Sequence, residues 1–330
     1  MRMRRIFFTF LIAIGLASAQ TSLSLVLGWT PQGPYAPYIV ALEQGYFATE
    51  GISLKIDRGY GSADSVSKVA MGTYDLGVAD FASLIEFAAR NPESAPVAIA
   101  INHEKAPLAL VSLVQAGIDS PADLAGKRIA SPPGDASRRL FPLFAQQNDL
   151  DPESVRWLNV DPALRESLLL RGQTDLVSGH YYTVLLNLEA IGIDPGQVQA
   201  LRYADYGVDL YGDVLIANRK LEQNPELLPG VVRALGHGFR ETRADPKAAI
   251  AQLKKYEPLT DPALELRRLE IAMNEFWPAT DECFGWADPE RIETQILAVV
   301  KAYGLARTPA PAEIFDPEFL GGSGGQCPKD

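Results

Sequence analysis

The chain has 330 residues, 47% hydrophobic and 22% charged, and its 41 acidic side chains outnumber 30 lysines and arginines for a net charge of −11. That size buries one large core or two ordinary domains. The acidic balance argues against nucleic acid and anionic membrane surfaces as partners, although a local field can oppose the global one around a small anionic ligand. Two cysteines, Cys283 and Cys327, are too few for a disulfide scaffold, and either bond to each other or stay free.

Residues 1–19, MRMRRIFFTFLIAIGLASA, set Arg2, Arg4 and Arg5 ahead of an apolar run, with Ala17-Ser18-Ala19 at the cleavage positions. This is the pattern of a secretory signal peptide, with a retained anchor as the alternative. No other apolar stretch approaches the ~20 residues that cross a bilayer. Cleavage before Gln20 removes three arginines, takes the net charge to −14 and implies an exported, periplasmic protein.

A strand is expected over 23–27, and Trp29-Thr-Pro breaks it. Gly33 and Pro34 shape a turn, and Tyr35, Pro37 and Tyr38 lead into a helix that ends near Gly45. Strands follow at 52–56, 76–79 and 97–101, with helices at 65–71 and from Asp80 to about Ala89 between them. A polar segment, 102–105, then precedes a very apolar strand at 108–113, and the first crossing between lobes is placed there. The second half repeats the alternation. Strands at 126–130, 155–160, 176–178 and 199–202 are separated by helices at 138–147, 163–171 and from about Tyr182 to Ile191. The return crossing falls at 203–211, where Asp205, Tyr206 and Tyr211 flank Gly207, a residue that tolerates the backbone change of a hinge. A strand at 214–217 resumes the first lobe. Helices are expected at about 225–243, 246–255, 262–275 and 288–303, and an extended tail at 308–330.

Strands alternating with helices of ten to fifteen residues imply βαβ units in mainly parallel sheets. One repetition supports two lobes. Asp75-Leu-Gly follows helix 65–71 and its Gly72 stop, and Asp175-Leu-Val follows helix 163–171 and Gly172. The expected fold class is therefore α/β, with 20–107 plus 214–307 as a discontinuous first lobe and 108–213 as the second.

Trp29-Thr-Pro, Gly45-Tyr46-Phe47, Gly51-Ile52, Gly61-Ser62, Gly72-x-x-Asp75-x-Gly77 and Leu124-Ala-Gly-Lys127 occur in order over roughly 23–305. With them the chain resembles the substrate-binding proteins of ABC importers. Within that group it is most similar to the superfamily of nitrate, sulfonate and taurine binders and thiamine-pyrimidine-precursor binders. The resemblance implies a two-lobed type II periplasmic-binding-protein fold with a ligand cleft and two inter-lobe crossings. It also implies a monomer that delivers its small-molecule ligand to a membrane permease powered by a separate ATPase, without a cofactor or metal. Pyrimidine-precursor members commonly carry Trp-x-Pro-Asn-x-x-His. Here Gln32 replaces the Asn and Tyr35 stands at the His position, exchanging an imidazole for a larger amphipathic ring.

Turns at the C-terminal ends of strands are where an open α/β sheet places its ligand. Trp29 and Tyr35 offer flat faces with polar edges, suited to a planar ring. Ser62 opens the helix after strand 52–56, whose free N–H groups could receive an oxygen or simply be capped. Asp135 and Ser137 open the equivalent second-lobe helix, and the carboxylate suits an amine or ring N–H better than an anion. Asp80 and Ser83 begin the helix after strand 76–79; a buried Asp80 needs a capping job or a cationic partner. Tyr181 and Tyr182 are adjacent and cannot face one way, so one is expected in the cleft and the other in the core. Glu189 is expected at the surface or facing the hinge.

These residues favour an aromatic or heterocyclic, pyrimidine-like solute. The alternatives are a sulfonate- or nitrate-type oxyanion, for which Arg58 and Arg138 are the available cations, and a sensory protein that contacts a membrane receptor. Catalysis is not expected. The histidines His103, His180 and His237 are scattered, with His180 at a cleft-facing turn, and HExxH and CxxC are absent. The related eukaryotic pyrimidine synthases depend on a histidine near Trp29 and on a cysteine-rich site, which this sequence lacks.

Overall fold

A computed structural model describes residues 20–280 and 284–323. The leader, Cys283, Cys327 and the end of the tail lie outside the described residues. The first half runs β1 (Thr21–Val26), α1 (Ala36–Glu43), α2 (Tyr46–Thr49), β2 (Ile52–Asp57), α3 (Ser62–Ala70), β3 (Leu76–Asp80), α4 (Phe81–Arg90) and β4 (Val97–Ile101). After a crossing come β5 (Leu108–Leu113), β6 (Arg128–Ser131), α5 (Ala136–Arg139), α6 (Phe141–Gln147), β7 (Arg156–Asn159), α7 (Arg165–Leu170), β8 (Leu176–His180), α8 (Tyr181–Ala190) and β9 (Val198–Arg202). The chain returns through β10 (Asp213–Ala217) and ends in α9 (Leu227–Ala244), α10 (Pro246–Tyr256), α11 (Pro262–Glu275), α12 (Pro289–Ala302) and α13 (Pro311–Ile314).

Two five-stranded sheets result, in the orders β2-β1-β3-β10-β4 and β7-β6-β8-β5-β9. They share one plan, with β5 and β10 as counterparts. Each is the strand that has just crossed from the other lobe, and each runs antiparallel to both neighbours. The sheets are therefore mixed rather than mainly parallel. A crossing delivers the chain at the cleft end of the parallel strands, so the arriving strand must run away from the cleft. The register shows this, with Asp213 opposite Asp80 and Leu108 opposite His180.

The sequence repetition marks a repeated joint. Asp75 accepts from Ser24 N and Oγ, both at 2.8 Å, and ties the start of β3 to β1. Asp175 does the same for β8 and β6, accepting from Arg128 N at 2.8 Å and from the Arg128 guanidinium. Strands β3, β4 and β10 are buried throughout, the pattern of strands covered on both faces. Residues 138–147 do not make one helix. Pro142 has no N–H to close the turn onto Arg138, and the run divides at Leu140 into α5 and α6.

Residues 308–320 are not a free extended tail. They form α13, and Phe315 bridges Ala98 of β4, with Ile314, Phe315 and Leu320 buried. Those three apolar side chains gain more by leaving water than a proline-rich segment gains by staying loose. The crossings are clamped together from α12. Arg291 donates to Glu104 of the first and to Asp209 of the second at 3.0 Å, and its guanidinium lies 4.0 Å from the Tyr211 ring centroid.

Candidate functional site

The lobes meet over a cavity of about 360 Å³, including its mouth, at the cleft ends of both sheets. The first lobe supplies the turn after β1, where Gly28, Trp29, Gln32 and Tyr35 line the wall, and the entry to α3 at Gly61 and Ser62. Asp213, first residue of β10, closes that side. The second lobe supplies Asp135 and Ala136 at the start of α5, Arg165 at the start of α7, and His180 and Thr183 around the start of α8. The rims already touch: Ala63 N approaches Gly134 O at 3.4 Å, and Thr183 Oγ1 donates to Gln32 Oε1 at 3.2 Å.

Of the residues singled out in the sequence, Trp29, Tyr35, Ser62 and Asp135 come together on this wall. The other five sit around it. Asp80 is fully buried and caps α4 by accepting from Ala82 N at 3.0 Å, while its own N–H donates to Ser62 Oγ at 2.9 Å. Ser83 is buried beside it. Ser137 Oγ donates to Gly179 O at 3.0 Å and accepts from Ala109 N at 3.3 Å, joining α5 to the sheet. Tyr181 packs under Arg202, whose guanidinium is 4.8 Å from the ring centroid. Tyr182 is buried against Phe276, with its hydroxyl 3.1 Å from His180 Nδ1. The residue of this turn that lines the cavity is thus His180, backed by Tyr182. Arg58 stacks on Tyr60, and Arg138 on Trp157, outside the wall.

The cavity's guanidinium comes from Arg165, which sits at the start of a helix whose spacing gave no hint of a cleft role. Its side chain is 1% exposed. Nη1 donates to Ser178 O at 2.7 Å, Nη2 to Glu166 Oε1 at 2.7 Å, and Asp135 Oδ2 lies 3.9 Å away. The guanidinium carbon stands 5.5 Å from the Trp29 ring centroid. Asp135 Oδ1 accepts from Arg138 N at 3.0 Å and from Ser178 Oγ at 2.8 Å. Asp213, Gln32 and Thr183 were also missed. The signal for Asp213 was available, since an acid opening a strand directly after a crossing must lie at the cleft.

Burial sets the protonation states. It raises the Asp213 carboxyl above its ordinary range, only partly offset by His180, and raises Asp80 further, with Asp213 adding repulsion. It pushes His180 down to about 4 and His103 down to about 3, so both imidazoles are neutral. His103 Nδ1 is 3.6 Å from Asp213 Oδ2, too far for a hydrogen bond that would outweigh that desolvation. Tyr35 is raised by burial first and by Asp213 second, so it stays a phenol with a donor to offer.

Two similar mixed sheets, two crossings and a cavity between them are the type II periplasmic-binding fold. Solved structures agree on it: the alkanesulfonate-binding protein of Xanthomonas axonopodis pv. citri, bound to MOPS, superposes with a TM-score of 0.69 at 16% identity over 89% of this chain and 96% of that one. The family profile described as NMT1/THI5 like matches residues 32–249, more than half of the chain, and the protein belongs to that family. Among curated relatives, the formylaminopyrimidine-binding protein of Halalkalibacterium halodurans is 27% identical over 71% of this chain and 73% of its own. The 4-amino-5-hydroxymethyl-2-methylpyrimidine phosphate synthase of Legionella pneumophila is 24% identical over 74% of this chain and 77% of its own.

Proposed function

We propose that the protein is an extracytoplasmic solute-binding component of an ABC importer that captures a small, planar, amino-substituted heterocycle of the pyrimidine kind and releases it unchanged to a membrane permease. The leader at 1–19, cleaved before Gln20, takes it to the periplasm, where it works as a monomer without a cofactor. The observation that carries the reading is the polarity of the cavity. Trp29 and Tyr35 supply ring faces, while Asp213, Gln32, His180 and Ser62 supply a mixture of acceptors and donors around them. Two carboxyl groups line the wall, Asp135 and Asp213, and the guanidinium beside them already serves Glu166 and the Ser178 carbonyl. That balance suits ring N–H and amino groups and leaves little uncompensated positive charge for a bare oxyanion. Tyr181, Tyr182, Asp80, Ser83 and Ser137 then act behind the wall, supporting His180 and the helix starts. The names of the pyrimidine-related proteins of Halalkalibacterium and Legionella lend the reading support.

An oxyanion solute is the second reading, favoured by Arg165 and by the α3 N-terminus, whose N-cap residue Gly61 has no side chain to satisfy it. Native mass spectrometry of the freshly purified protein, followed by thermal shift with 4-amino-5-hydroxymethyl-2-methylpyrimidine and with methanesulfonate, separates the two. The pyrimidine should raise the melting temperature, and Asp213→Asn should remove most of that rise. A shift with the sulfonate alone selects the oxyanion. Consumption of the bound pyrimidine would make the protein an enzyme.

A further inference from the structure

A buried polar circuit leaves the Trp29 turn, passes through both lobes behind the cavity and comes back to Trp29. Gly33 N, in the turn itself, donates to Glu265 Oε2 of α11 at 2.6 Å. Glu265 Oε1 is bound by Arg268 Nη1 one helical turn on, and Arg268 Nη2 donates across to Asn187 Oδ1 of α8 at 2.9 Å. Asn187 Nδ2 donates in turn to Glu166 Oε1 at 3.1 Å, and Glu166 holds Arg165, whose guanidinium faces the Trp29 ring.

The four charged members are at most 6% exposed and form two ion pairs, so the circuit is neutral within itself. It spans the lobes twice, at Arg268–Asn187 and at Arg165–Trp29. Asn187 is the link between them: it lies outside the cavity wall, yet its amide supplies one acceptor and one donor to opposite lobes. The far end of α11 reaches the hinge, where Phe276 O accepts from Lys105 N of the first crossing at 3.2 Å. Parting the lobes would break the Arg268–Asn187 link and leave the Arg268 guanidinium and the Asn187 carbonyl oxygen each short of a partner in a half-buried setting. That penalty exceeds the worth of an ordinary exposed bond.

We propose that Asn187, with Glu265 and Arg268 of α11, is a positioning set that locks the closed cleft by joining the Trp29 turn to Arg165, so that pocket geometry and lobe closure are one event. The inference takes the cleft to be a solute site, but its test needs no solute. Because the circuit is completed by protein groups alone, a closed population exists in the solute-free chain.

Pulsed EPR on the full chain, with nitroxides at Met71→Cys and Val114→Cys (72% and 49% exposed, one on each lobe) and Cys283→Ser and Cys327→Ser, reads the inter-lobe distance. Asn187→Ala should lower the closed-to-open ratio by about tenfold. Asn187→Asp keeps and charges the acceptor for Arg268, while its repulsion of Glu166 lies within one lobe and is present open or closed, so it should hold or raise the ratio. Arg267→Ala, which removes the exposed α11–α8 pair with Glu189, should leave it within about twofold. Urea midpoints of the Asn187 variants should stay near that of the parent, since a structural loss alone would move the midpoint and not the ratio. The proposal is overturned if the solute-free parent is wholly open, if Asn187→Ala keeps the parent ratio, if Asn187→Asp lowers the ratio as far as Asn187→Ala does, or if Arg267→Ala does so. If the lock holds while pyrimidine and sulfonate both fail to bind, the reading of the solute is at fault and the circuit is not.

Discussion

His103, buried, and His180, on the cavity wall, make the protein sensitive to acid in a direction that can be worked out. His103 is held down at about 3 and His180 at about 4, whereas in the unfolded chain both titrate near the ordinary value of about 6.5. Below that value the unfolded chain binds the extra protons, so their contribution weakens as pH falls from about 6.5 to about 4, and for His103 on to about 3. Asp80 and Asp213 work the other way. Held above the ordinary carboxylate range, they keep protons in the folded state that the unfolded chain has released, and their contribution fades as pH rises. Comparing His103→Gln with the parent by urea unfolding isolates one term. Between pH 7 and pH 4.5 the variant should gain on the order of 2 kcal/mol relative to the parent. An unchanged difference at the two pH values would mean His103 is not buried neutral. At this scale the sequence revealed what local position determines: Trp29, Tyr35, Ser62 and Asp135 sit in turns at strand ends, and those turns line the cavity. Arg165 was hidden because its importance comes from what the other lobe brings to it, which no local pattern encodes, whereas Asp213 was legible from its place at the start of the returning strand.

Among the elements, the entry to α3 is the one most tightly fitted to the opposite lobe. Gly61 has φ +123°, a conformation that favours glycine, and a Cβ there would stand 2.4 Å from the Gly134 carbonyl oxygen across the cleft. Gly61→Ala therefore has two separable effects. Backbone strain should lower the melting temperature by a few degrees. The collision with Gly134 should weaken solute binding by tenfold or more, because parting the lobes relieves it; calorimetric titration with the identified solute checks this. An affinity loss no larger than the stability loss predicts would mean the rims do not meet in the bound form. A second element carries its own expectation. Removing residues 311–330 strips Ile314, Phe315 and Leu320 from the face of β4 and should cost several kcal/mol in a urea titration. Helices α9 to α12 were readable from periodicity and from their Asp and Pro starts; Asp245, Asp261 and Asp288 each cap a helix whose first residue is proline. The packing of 311–320 was not readable, because three apolar side chains in a proline- and glycine-rich segment have no period to detect.

At the scale of the whole molecule, the fold was legible because topology repeats: two Asp-Leu joints announce two lobes, and a polar break before a very apolar strand announces a crossing. The antiparallel insertion of β5 and β10 was not, since strand direction depends on where a crossing re-enters the sheet. Closure rests on two layers of contact with different responses to salt. Arg202–Glu275 and Arg267–Glu189 bridge the lobes, each with an arginine at least 30% exposed. Exposed pairs of this kind contribute from nothing to about 1 kcal/mol each and are screened over about 10 Å at 0.1 M salt. The inner circuit through Asn187 and the aromatic wall are buried and respond little. Raising sodium chloride from about 0.05 to 0.5 M should therefore weaken capture of a neutral heterocycle by about tenfold at most, as measured by calorimetric titration. A solute held by its negative charge against Arg165 would lose affinity with the ionic strength of the whole cleft and with competing chloride. A fall of a hundredfold or more would shift the case to the oxyanion and away from a ring stacked on Trp29.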